Sequence, residues 1–147
     1  MATWREFASD APELAEFGAE RFAQTSVAYL ATVRKDGSPR IHPVTPIIGG
    51  GRLFLFMEST SPKGHDLRRD GRYALHSLVM DQNGTGGEFT VRGHASPTTD
   101  PAARRLAATA ASYDPSDAYV LFELSVAEAA STLYQGGAPV RRRWHAC

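Results

Sequence analysis

The chain has 147 residues, is 42% hydrophobic and 22% charged, and balances 16 basic against 16 acidic residues. That length is enough to bury a core in one domain spanning 1–147, and a formal charge of zero provides no field to draw the chain to nucleic acid or an anionic membrane. No apolar run approaches the ~18 residues of a membrane span, the acidic start MATWREFASDAPELAEF is not a secretory signal, and one cysteine, Cys147, builds neither a disulfide nor a cysteine zinc site within one chain, so the cytoplasm is the expected location.

The N-terminal segment 1–22 reads as helical, with the helix over residues 9–23. Asp10 and Glu13 have capping-box spacing, Pro12 suits a first turn, and Leu14, Phe17 and Phe22 share a face. From Ser26 the pattern becomes strand-like, and Lys35-Asp36-Gly37-Ser38 reads as a hairpin turn because Asp-Gly supplies the positive φ such turns need. Residues 39–48, PRIHPVTPII, form the return strand, and three prolines confine it to an edge or bend it. Gly49-Gly50-Gly51 is a turn without dinucleotide-fingerprint spacing.

Residues 52–57 are apolar on both faces, so this strand is expected to be buried on both sides. A polar corner follows, Glu58-Ser59-Thr60-Ser61-Pro62-Lys63, and then a short helix to about Arg69. Leu67 is its expected core anchor, with Lys63, His65, Asp66, Arg68 and Arg69 facing outward. Tyr73 to Val79 reads as a strand, residues 81–87 as a loop, and Phe89, Val91, Gly93 and Ala95 as the inner face of another strand. An alanine-rich helix over 101–112 is capped by Asp100 and should lie close on a neighbour. Strands are expected over 119–126 and near 130–134, and Gly and Pro at 136–139 lead into a tail at 135–147 that carries Arg141-Arg142-Arg143-Trp144. The order implies a mainly β barrel of antiparallel hairpins with helices packed outside.

The corner at 58–63 has the ingredients of an anion site: hydroxyl donors, unpaired N–H groups and the positive end of a helix dipole. An ordinary helix cap uses the same residue types. Of the 16 basic residues only Lys35 and Lys63 are lysine, so a compact point charge stands beside that helix start. The five histidines lack ligand spacing, so no metal site is expected, and no nucleophile with base and orienting acid can be read. Asp66 and Asp70 read as solvated ion-pair partners of Arg69. The Arg141–Arg143 run fits a cap on a partner subunit or an anionic cofactor better than nucleic-acid binding, given the neutral remainder of the chain. Arg40 and His42 point the same way along their strand. Arg40 either adds a second charge to the corner or stays a solvated edge residue.

The succession YLATVRKDGSPRIHPV, GRLFLFMESTSPKGHDLRRDGRYALHSL and GEFTVRGHASP resembles the pyridoxamine 5′-phosphate oxidase-like, flavin-binding split-barrel family over residues 22–133. The resemblance implies a six-stranded antiparallel split barrel with flanking helices and a homodimer with its cofactor at the subunit interface. FMN is the implied cofactor and a small molecule the substrate; the alternatives are the deazaflavin coenzyme F-420 with reductase activity, and flavin or haem binding without turnover. Residues carried over as cofactor contacts are Arg40, Ile41, His42, Pro43 and Val44 on the return strand, Met57, Glu58, Ser59, Ser61 and Lys63 at the corner, and His76 and Ser77 on the next strand. The family's S-R-K corner is Ser61-Pro62-Lys63 here, one arginine short. No nucleic acid and no membrane enter this expectation, and no catalytic side chain is named by it.

Overall fold

A computed structural model describes residues 1–147. Two helices open the chain: α1 (Trp4–Asp10) and α2 (Pro12–Thr25). A single helix over 9–23 is therefore corrected, and so is its cap. Thr3 caps α1: its Oγ1 accepts from the Glu6 N–H and donates to Glu6 Oε1, both at 3.2 Å. Thr3–Glu6 has the capping-box spacing of Asp10–Glu13, displaced to the real start, but the Glu6 carboxylate accepts from the Thr3 hydroxyl rather than from its backbone N–H. Pro12 decides between the two, because it has no N–H with which to continue the α1 ladder and fits the first turn of a new helix.

The strands are β1 (Ala28–Val33), β2 (Pro39–Val44), β3 (Ile47–Gly49), β4 (Arg52–Met57), β5 (Arg72–Ser77), β6 (Glu88–Thr98), β7 (Val120–Leu124), β8 (Glu128–Gln135) and β9 (Ala138–His145). Two further helices are α3 (Pro62–Arg69), between β4 and β5, and α4 (Pro101–Ala110), between β6 and β7. The nine strands form one curled antiparallel sheet in the order β2-β1-β5-β6-β7-β4-β3, with β8 paired to β6 and β9 to β8. Nine replace the expected six for local reasons. Residues 39–48 divide at Pro46, β2 staying on β1 and β3 crossing to β4. The supposed tail is a strand: Gly136 and Gly137, at φ 59° and 80°, make a tight hairpin that returns β9 along β8. Trp144 on β9 reaches Phe7, with ring centroids 4.9 Å apart.

β6 bends the sheet. Its first part pairs with β5 and β8, and residues 95–98 pair with β7. At the bend, a Cβ on Gly93 would stand 2.1 Å from the Ser125 carbonyl oxygen, so only glycine admits this crossing. β2 ends the order and is an edge, as its prolines require. Every residue from Leu53 to Met57 in β4 is buried.

Phe89 centres the larger core. Trp4, Phe7 and Phe22 surround it at centroid distances of 6.1, 6.4 and 5.4 Å. Burying such a side chain contributes roughly 1.5–3 kcal/mol. A smaller cluster joins Ile47, Phe54, Phe56 and Leu121 to Ala103 and Ala107 of α4. Alanines let α4 lie close: a Cβ on Gly49 would meet the Ala110 methyl at 2.7 Å. No helix is long and apolar enough to cross a membrane.

Gly18 of α2 lies so close to the Phe89 ring that an added Cβ would stand 2.5 Å from it. Gly18→Ala is expected to lower stability by about 1–3 kcal/mol through overpacking, even though alanine favours the helix. Urea unfolding of the two proteins measures the difference.

Candidate functional site

The buried strand β4 leaves the core at Met57 and delivers the chain into the corner that precedes α3. Glu58, Ser59 and Thr60 are exposed, while Ser61 is buried and occupies the N-cap of α3 in extended conformation. The Ser61 hydroxyl does not cap the helix. It accepts instead from Lys63 Nζ at 2.9 Å. The first-turn N–H groups of Lys63 and Gly64 therefore keep their capacity to donate. Gly64 lets α3 approach β4, since a Cβ there would stand 3.1 Å from Met57 Sδ. Burial holds the Lys63 ammonium below the ordinary lysine pKa, against the opposing charge of Glu58.

These groups open onto a cavity of about 550 Å³. His42, Pro43, Val44, Met57, Glu58, Ser61 and Lys63 all line it, so seven of the twelve residues expected at the cofactor converge. Ser59 lies exposed on the same corner, outside the lining. Tyr113 and Tyr119 line it too, from the connection between α4 and β7. Neither was legible, because nothing local in residues 111–119 places that connection at the Lys63 cavity. Burial, then the charges of Lys63 and Arg40, lower the pKa of His42, which favours a neutral imidazole in the cavity.

Arg40 does not join Lys63. Its Nε donates to Asp66 Oδ2 at 2.7 Å. Asp66 is 3% exposed, which corrects its expected outward, solvated place on α3. The Thr32 hydroxyl donates to the same oxygen at 2.7 Å, and Arg69 Nη2 donates to Oδ1 at 2.9 Å. Burial alone would raise the Asp66 pKa. Hydrogen bonds from Arg40, Thr32 and Arg69, with the charge of Arg40, outweigh it and hold the carboxyl below its ordinary value.

The remaining expected contacts lie elsewhere. Ile41 and His76 face a second concavity of about 460 Å³ on the outer side of the sheet, where Ala31, Ala74 and Ala130 make the floor. Ile41 is 71% exposed and Tyr29 on the same face 42%. His76 Nδ1 lies 2.6 Å from the Ser77 carbonyl oxygen. Ser77 is buried, and its hydroxyl accepts from the Phe89 N–H at 2.9 Å, a structural bond within the sheet. No cluster of three metal-binding side chains is present.

Residues 12–133 match the family model described as pyridoxamine 5′-phosphate oxidase. No curated protein matches the sequence. Among solved structures, a haem-binding protein from Mycobacterium smegmatis superposes with a TM-score of 0.66 at 20% identity, over 88% of this chain and 57% of that one. The present chain thus spans little more than half of that relative. An F420 reductase superposes with a TM-score of 0.54 at 20% identity, over 70% of this chain and 87% of the other. A haem storage protein from Vibrio cholerae gives 0.55 at 17% identity, over 79% of this chain and 89% of the other. At these identities the likeness is one of fold.

The Asp66 cluster has a defined pH signature. A carboxyl whose folded pKa is depressed contributes stability above its unfolded value, and loses it as pH falls through the folded value. Asp66→Asn is expected to cost roughly 2–4 kcal/mol at neutral pH, because Arg40 and Arg69 lose their buried counter-charge. Urea unfolding should show that cost shrinking below pH ~4, where the unfolded carboxyl takes up its proton.

Proposed function

Because the chain belongs to the pyridoxamine 5′-phosphate oxidase family, we propose that it is a cytoplasmic oxidoreductase that binds FMN in the Ser61–Lys63 cavity, works as a homodimer and acts on a small molecule. The observation that carries this reading is a buried N-cap serine and a half-buried lysine at the start of α3, opening onto one cavity. A phosphate monoester needs a cation and several donors. Lys63 Nζ, the Ser61 hydroxyl and the first-turn N–H groups supply them. A planar ring needs an apolar wall, and Val44, Phe56 and Met57 line the same cavity. When bound, the flavin supplies the redox chemistry, and the protein supplies position and electrostatics.

Pro62 stands where the family's corner has an arginine, and Arg40 is held by Asp66. Lys63 is therefore the principal cation of the phosphate site, and FMN affinity should depend steeply on it. His42 presents a neutral imidazole to the cavity and can hold or accept a proton there. Tyr113 and Tyr119 complete the lining of the cavity.

The homodimer is supported by the outer face of the sheet. Ile41 and Tyr29 stand exposed beside a floor of alanines, a pairing of knob and hollow suited to a second copy. Ile41 belongs to this face and His42 to the cavity, on one edge strand. A copy docked on β2 therefore lies along a cavity wall.

Haem is the second reading, favoured by the neutral His42 imidazole as an axial ligand. A haem titration separates the two: a Soret band that is lost in His42→Ala supports haem, and its absence in the wild type removes that reading.

FMN is expected to bind saturably, with quenching of flavin fluorescence. Lys63→Ala should weaken binding about tenfold or more, equivalent to about 1.4 kcal/mol. Absent binding, or an affinity indifferent to Lys63, contradicts the proposed site.

A further inference from the structure

The chain has two side-chain amines, Lys35 and Lys63. Their surroundings are opposite. Lys35 is exposed on the hairpin between β1 and β2. Lys63 is half-buried in the wall of the cavity it lines. None of the chain's ion pairs includes Lys63. Its side-chain partner is a neutral group, the Ser61 hydroxyl at 2.9 Å. Burial favours the neutral amine and prevails over the charge of Glu58, which favours the ammonium. A neutral amine that faces a cavity is a nucleophile toward carbonyl carbon.

The groups around Nζ select the electrophile. Ser61 is 7% exposed, and its hydroxyl hydrogen has no acceptor within the chain. The first-turn N–H groups of Lys63 and Gly64 are also free to donate. The Ser61 hydroxyl stands against Nζ itself, so it suits an anion joined directly to the atom that Nζ attacks. A 2-oxo acid has that pattern, since its carboxylate adjoins its carbonyl carbon. Val44, Phe56 and Met57 give the same cavity an apolar wall for a short side chain. His42 lines it as a neutral imidazole, near enough for the Lys63 charge to act on it, and suits the proton transfers of imine formation.

We propose that Lys63 captures small 2-oxo acids as an imine. Nζ attacks the carbonyl carbon, and the C=O π pair moves to oxygen. His42 takes the proton that nitrogen sheds and returns one to the departing hydroxyl. The C–O bond breaks, the C=N bond forms and water leaves, with no oxidant or reductant consumed. The Ser61 hydroxyl and the first-turn N–H groups hold the carboxylate. Capture follows from the amine and its neighbours. Only its corollary, that FMN and a 2-oxo acid exclude one another at Lys63, rests on the cavity reading above.

The test incubates the full chain with pyruvate and cyanoborohydride at neutral pH and maps carboxyethyl-lysine by peptide mass spectrometry. Lys63 should be labelled about tenfold faster than Lys35, or more. The α-amine of Met1 is read on its own peptide and stays outside this ratio. In urea the two lysines should react alike, so the ratio reads the folded site. Acetone, a ketone without the carboxylate, should show a much smaller preference for Lys63. In Ser61→Ala the pyruvate ratio should fall toward the acetone value, and in His42→Gln Lys63 should slow while Lys35 keeps its rate. FMN should protect Lys63 and not Lys35. Equal labelling of the two lysines in the folded chain, or faster labelling of Lys35, overturns the proposal. An equal preference with acetone overturns the assignment of 2-oxo acids. If pyruvate prefers Lys63 but FMN neither binds nor protects, the capture stands and the FMN reading falls. If FMN binds without protecting, the exclusion is overturned.

Discussion

A single buried carboxylate sets the geometry on which the site depends. Asp66 of α3 receives Thr32 from β1, Arg40 from β2 and Arg69 from its own helix. An unpaired carboxylate at 3% exposure would be costly, and these donors offset that cost. What the cluster gains is register. β2 is an edge strand with prolines and one neighbour, and nothing else in the sheet holds its outer side. Arg40 ties it to α3, and so fixes His42 and Val44 relative to Ser61 and Lys63 across the cavity.

The same helix start then serves two surfaces. Toward β4 it presents Ser61 and Lys63 to a half-apolar cavity suited to a ring with a phosphate. Toward the hairpin after β1 it borders a groove without apolar lining, where Asp66 holds Arg40 and Arg69. Pro62 is the ridge between them. An arginine in its place, as in the family's usual corner, would add a cation to the proposed phosphate site. The proline instead leaves Lys63 as the sole ammonium there and preorganises the first turn.

Much of the fold could be read from local pattern. β4 is apolar on both faces and is buried on both; β6 alternates as its sequence does; Asp100 caps α4 by accepting from the Ala102 N–H at 3.1 Å. Local pattern and structure part where two local signals compete or where partners are distant in sequence. Thr3–Glu6 and Asp10–Glu13 have the same spacing, and only the break at Pro12 chooses between them. The last strand has no apolar alternation across its arginines, and its pairing with β8 carries it. Asp66 meets partners 26 and 34 residues upstream, so its burial had no signature in the helix itself. At the site, the corner and β2 were legible because a strand, a polar corner and a helix start follow one another directly. Tyr113 and Tyr119 were not, because a long loop brings them there from another part of the sheet.

The opening of α3 is proposed to grip the phosphate of a bound redox ring, and every role given to Lys63 and Ser61 in FMN binding depends on it. The most direct measurement is the visible spectrum of protein incubated with FMN and passed through gel filtration. A flavin band should travel with the protein at one ring per chain. A colourless protein peak, with all the flavin eluting as free small molecule, would contradict it.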